Sequence, residues 1–183
     1  MAVRREIPEY DGVYFITITC GEWLHLFERA DAYYAVYKWF DRLKRKGHFI
    51  VGYVIMPNHL HALIGFRNTM GESINRIVGT GKRFMAYEMV NRLQEQKDYS
   101  LLNKLQESVT SSDKDTGKKH QVFERSFDCK SITTQHFFIE KLNYIHNNPC
   151  SGVWKLVENL TDYKHGSAKQ YIVREEGEYL SEC

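Results

Sequence analysis

Hydrophobic positions along this chain switch between a period of two and a period near 3.6, and the switches divide it into strands and helices. Residues 13–20 (VYFITITC) alternate and are rich in β-branched and aromatic side chains, which predicts a strand. Asp31 then offers an N-cap, and Tyr33, Val36, Tyr37, Phe40 and Leu43 recur at helical spacing up to a stop at Gly47. Residues 48–56 are almost all apolar, as in a central strand covered on both faces. A Pro57-Asn58 break separates them from residues 59–66, the predicted hairpin partner. That partner would carry His59, His61, Leu63 and Gly65 on one face and Leu60, Ala62, Ile64 and Phe66 on the other.

A second helix is predicted from about 73 to 94, with Ile74, Ile77, Val78, Met85 and Met89 on its apolar side. The stretch 95–121 is polar and contains SVTSSDKDTGKKH, which predicts a flexible insert. Order resumes at Val122-Phe123 and in a strand over 127–132. Thr133 or Thr134 then caps a third helix that must end near Pro149, because the residue before a proline is disfavoured in the helical region. Residues 163–172 are expected to pack on the body, and the last ten to be loose. The order β-α-β-β-α-β-α predicts one domain over 1–183 of the α+β class. It would be a ferredoxin-like α/β sandwich whose antiparallel central sheet has helices packed on it.

Bulk composition narrows the function only slightly. A net charge of +2 is too mild to indicate a nucleic-acid partner by itself, so local clusters must carry that argument. Four dispersed cysteines without a C-x-x-C pair, and the lack of a signal-peptide pattern, predict a reduced cytoplasmic setting without a zinc finger. No apolar run approaches the ~20 residues that span a bilayer, so no membrane is expected.

The histidines change the picture more. Alternate residues of a strand share a face and lie roughly 6.5–7 Å apart, a spacing from which two imidazoles can converge on one cation. A half-exposed edge strand can carry such a pair without any metal, and two ligands make only part of a site. The third helix offers partners. In HFFIEKLNYIHNNP, Phe138, Leu142 and Ile145 form the core stripe and Tyr144 sits at its border. Asn148 follows Tyr144 by one turn and is equally well placed to be a helix C-cap.

P-N-H-L-H, followed about 80 residues later by Y-I-H-N-N-P-C-S-G-V-W, resembles the single-tyrosine HUH transposases, an insertion-sequence-200-like family. Within it, the sequence is most similar to the REP-associated tyrosine transposases. The resemblance runs from about Val13 to Tyr171 and includes Lys82 to Phe84, VFERSF from Val122 and YKHGSA from Tyr163. It implies that His59 and His61 are metal ligands and that Tyr144 is the nucleophile. Asn148 stands where relatives place a third polar ligand, with Asn147 or water as alternatives.

On this resemblance a divalent cation, Mg²⁺ or Mn²⁺, assists Tyr144 in cutting and rejoining one strand of single-stranded or hairpin DNA through a phosphotyrosine. A phenol ionises near pH 10 and is a poor nucleophile without assistance, which fits that division of roles. The alternatives are a catalytically silent DNA-hairpin-binding protein of the same fold and a metal-dependent phosphodiesterase that activates water. Arg76, Lys82 and Arg83 on the second helix are the expected DNA contacts, with Arg4-Arg5 and the run Arg42 to Lys46 as further basic clusters. Both a homodimer with exchanged helices and a monomer occur among such relatives, and the sequence leaves the choice open.

Overall fold

Alternation along Gly12–Thr19 produces strand β1, which lies inside a four-stranded sheet because both its faces have apolar layers to cover. The computed structural model describes residues 10–68, 71–115 and 117–173; the N-terminal Arg4-Arg5 cluster and the last ten residues lie outside these. With β2 (Phe49–Ile55), β3 (His59–Phe66) and β4 (Asp128–Ile132), the sheet order is β2-β3-β1-β4, antiparallel throughout. This is the α+β, ferredoxin-like arrangement expected from the pattern. Helix α1 (Leu26–Arg29) follows β1, and α2 (Tyr33–Arg45) and α3 (Ile74–Glu95) cover one sheet face.

That face is the main core, where Tyr14, Ile16, Ile18, Leu60, Ala62 and Ile64 meet Val36, Phe40, Val78 and Met85. The two helices approach closely at Gly81, where an added Cβ would come within 2.5 Å of the Trp39 indole. Helix α2 starts differently from the expectation. Asp31 does not cap it; Asp31 takes φ 47° and pairs with Arg92 of α3 at 3.1 Å, while Ala32 occupies the N-cap position.

The segment 95–121 is not an open loop. It holds α4 (Tyr99–Glu107) and α5 (Ser111–Asp115), and Leu101, Leu102 and Leu105 of α4 are buried. The Asp98 carboxylate caps α4 by accepting from the Leu101 amide at 3.2 Å. Leucines at i, i+1 and i+4 behind a capping Asp give this helix its apolar stripe, which the surrounding polar composition masks.

Helix α6 (Gln135–Asn147) forms the third layer on the opposite sheet face, capped by Thr134 Oγ1 accepting from the Phe137 amide at 3.2 Å. Its Ile145, Phe138 and Leu142 pack on Phe15, Val51, Val54, Met56 and Leu63. The approach is close at Gly52, where a Cβ would lie 2.8 Å from Leu142 Cδ1 and make that side chain shift. After α6 the chain returns to the β2 edge, where the Ile55 amide donates to His165 O, the Ser167 amide to Tyr53 O, and Val54 bridges Gly166. Helix α7 (Ala168–Val173) closes the described chain.

His165 stacks on Tyr33 with ring centroids 3.8 Å apart and shares a 3.1 Å hydrogen bond with the Tyr37 hydroxyl. Burial first, and Lys164 second, press its pKa down to about 4 against the opposing pull of Asp31. The unfolded ring titrates near 6.5, so this contribution to stability is complete above that pH and is lost as pH falls towards 4. Denaturant unfolding is therefore expected to show decreasing stability from pH 6.5 to 4. His165→Phe, which keeps the stack, should show a shallower decrease than the parent.

Candidate active site

Thr17, Thr19, His59 and His61 share one face of the sheet because Thr17 pairs with His61 and Thr19 with His59 across the β1–β3 ladder. Both histidines are 5% exposed, which excludes the half-exposed edge face. The rings lie 4.6 Å apart, centroid to centroid. Each is held on its Nδ1 side. His59 Nδ1 donates to Asn58 Oδ1 at 2.6 Å, and His61 Nδ1 lies 2.8 Å from Thr17 Oγ1. An amide oxygen can only accept, so His59 carries its proton on Nδ1 and keeps a free lone pair on Nε2. The same tautomer of His61 donates to Thr17 and leaves Nε2 as an acceptor.

Burial holds both rings neutral. It presses the His59 pKa down to about 4, with Asn148 opposing, and the His61 pKa down to about 3, with His59 and Lys141 adding to the effect. Neutral, oriented imidazoles are the form that binds a metal or accepts a proton.

Tyr144 reaches this pair from α6. Its hydroxyl lies 3.4 Å from His61 Nε2, and its ring stands 5.0 Å from the His61 ring and 6.0 Å, edge-on, from Phe15. Nearly half of Tyr144 is exposed, so a substrate can reach the phenol from solvent. Asn148 caps α6 and is buried; it takes helical angles (φ −54°, ψ −44°) in spite of the following Pro149, and begins a single 3-10 turn over Asn148–Cys150. Its Oδ1 faces the His59 ring closely enough to favour ring protonation, yet it forms no well-made hydrogen bond and is shielded from solvent. Such an orphaned acceptor is costly unless something donates to it or coordinates it. Asn147, the alternative, is exposed and turns its amide nitrogen back to Asn143 O at 2.8 Å.

The donor set thus fits a divalent cation: two imidazole Nε2 atoms and one unpartnered amide oxygen, all uncharged. Among the described residues no cluster of three or more histidines, cysteines or carboxylates is placed to hold a metal, so any further ligands would be water or substrate.

Several residues at the site escaped the sequence reading. Thr17 is identified only by strand register. Asn58 lies within the Pro57-Asn58 break and reads as a turn residue. Lys141 stands one turn before Tyr144, and its Nζ sits over the Tyr144, Phe15 and Phe137 rings at 5.7, 5.5 and 5.1 Å while pairing with Glu140 at 2.7 Å. Its position at i−3 was the available signal.

The three expected DNA contacts do not join this site. Arg76, Lys82 and Arg83 belong to α3, in the helix layer on the other sheet face. Arg76 is exposed, with Glu72 3.9 Å away. Arg83 is exposed and lines a cavity of about 800 Å³ with Lys118, Lys119 and His120. Lys82 donates to the carbonyl oxygens of Glu124, Arg125 and Ser126 at 2.6, 3.2 and 3.1 Å. In this structure it braces that turn, and all three of its ammonium protons are engaged by carbonyls. Burial presses its pKa down to about 8.

A ferredoxin-like sheet whose buried histidine pair faces a helical tyrosine is the class that the fold and site define. A solved REP-associated tyrosine transposase bound to a REP hairpin has this fold, with a TM-score of 0.63 over 100% of this chain and 99% of that one at 14% sequence identity. A chain from Deinococcus radiodurans R1 assigned as a transposase matches 80% of this chain and 97% of its own, at 19% identity and a TM-score of 0.43. No protein-family profile matches the sequence, and no curated protein matches it. No helix of the described residues is long and apolar enough to cross a membrane.

Lys82→Met should lower the unfolding free energy by about 1–3 kcal/mol, because three carbonyls lose a charged donor. Denaturant titration of the variant and the parent checks this.

Proposed function

We propose that this protein is a DNA transposase, a single-strand endonuclease that cuts and rejoins DNA through a covalent bond to Tyr144. The observation that carries the reading is the Tyr144 hydroxyl 3.4 Å from His61 Nε2, on the face that also holds His59 and the orphaned Asn148 Oδ1. The solved transposase of the same fold holds a DNA hairpin, and that favours hairpin or single-stranded DNA as the ligand here.

His59 Nε2, His61 Nε2 and Asn148 Oδ1 would hold Mg²⁺ or Mn²⁺. When bound, the cation withdraws charge from a phosphodiester oxygen. Asn58 keeps His59 in the ligating tautomer, and Thr17 accepts from His61 Nδ1 when His61 presents Nε2. Phe15, edge-on, and Lys141, over the ring, hold the phenol in place, and the lysine charge favours a phosphate nearby. Tyr144 Oη forms a bond to phosphorus as the bond from phosphorus to the 3′ oxygen breaks. The phenol proton passes to solvent water, and the departing 3′ oxygen takes a proton from solvent, so the step balances. The phosphotyrosine remains a diester, so attack by a 3′-hydroxyl can restore a DNA linkage without an external energy source.

A strand carrying a hairpin repeat, incubated with protein and Mn²⁺, is expected to give a protein–DNA adduct that survives denaturing electrophoresis. Tyr144→Phe should lose the adduct while binding the same strand. An undiminished adduct in that variant would overturn the assignment, and cleavage without any adduct would point to a phosphodiesterase that activates water.

A further inference from the structure

Beside the histidine pair stands a tryptophan with no structural reason to be exposed. Trp23 is 63% exposed, and its ring lies 6.2 Å from His59, edge to face. It follows Glu22 in a short turn after β1, and both residues take left-handed backbone angles, φ 52° and 55°. Left-handed backbone is unfavourable for any residue with a Cβ, and two such residues in succession persist only where neighbours impose them. Neighbours do so here. The Glu22 amide donates to Glu124 Oε1 at 3.2 Å, the Glu22 carboxylate is bound by Ser108 and Lys104, and the Trp23 carbonyl accepts from Asn58 Nδ2 at 3.2 Å. Asn58 is also the acceptor for His59 Nδ1, so one amide ties the Trp23 backbone to a candidate ligand.

These bonds engage only main-chain atoms at position 23, and glycine would serve them with less strain. Apart from its edge against His59, the indole is left to solvent. Trp154 adds a second large ring against the same imidazole, 6.0 Å from His59, with His25 packed on it at 5.3 Å. Two indoles thus border the proposed position of the phosphodiester. We infer that Trp23, with Trp154, is a stacking platform for an unpaired nucleobase flanking the scissile phosphate. A base paired within a duplex is already stacked above and below, so the platform selects single-stranded DNA. This rests on the proposed DNA reading of the site.

The test uses oligothymidylate and a duplex of equal length, with the full chain in the Tyr144→Phe form to prevent cutting. Stacking on an aromatic ring is worth about 1–3 kcal/mol per base, a factor of roughly 5 to 150 in affinity. Single-strand binding should quench tryptophan fluorescence, and Trp23→Gly should weaken that binding by about 5- to 150-fold while leaving duplex binding unchanged. Because glycine relieves the backbone strain, the melting temperature should not fall; a lower one, with unchanged DNA affinity, would mean that the ring is covered by protein and would overturn the platform. Equal loss on both DNAs, or none, would also overturn it. The covalent adduct is scored separately. Adduct formation unaffected by a failed platform leaves the transposase reading standing, whereas selective single-strand loss without any adduct in the wild type removes the cutting chemistry and keeps the platform.

Discussion

Everything at this site depends on two imidazoles being buried, neutral and pinned by their Nδ1 atoms. Burial alone would give two poorly oriented core histidines. The Asn58 amide fixes which nitrogen His59 presents, Thr17 holds the His61 ring by its Nδ1 side, and the sheet fixes where both rings stand. With Nδ1 engaged, both Nε2 lone pairs are free, one of them 3.4 Å from a phenol. The hairpin around Pro57-Asn58 thus supplies the proposed ligand pair together with the Asn58 amide that holds one of the rings.

The three-layer build follows from that demand. Helices α2 and α3 cover one sheet face with an apolar core, so the other face can carry polar groups without exposing the sheet interior. Helix α6 covers the second face only partly, and Gly52 lets it approach closely enough for Tyr144 to meet His61. Pro149 then ends the helix one turn later, leaving Asn148 buried against His59 with an acceptor that no protein group satisfies.

The strands, the crossover helices and the ferredoxin-like class were legible because their apolar periods are strong. His59, His61 and Tyr144 were legible because H-x-H and Y-I-x-x-N-P are local patterns. What sequence concealed was of two kinds. Helix α4 hides its leucines in a stretch of polar composition, so averaging over the window predicted a flexible insert. Thr17 and Trp23 matter through contacts across the sheet or a turn, and a single chain read linearly has no signal for such pairs. The structural part Lys82 plays was hidden too: its charge suggested phosphate, and only the fold brings it to a turn whose three carbonyls hold it.

The central claim concerns the state of two rings, and nitrogen-15 NMR of the histidine side chains reports it directly. At pH 7 without added metal, His59 and His61 should both show neutral imidazole shifts, His59 with its proton on Nδ1 and an unprotonated Nε2, and both should remain neutral well below pH 6. Protonated rings at pH 7, or a neutral His59 bearing its proton on Nε2, would contradict the account.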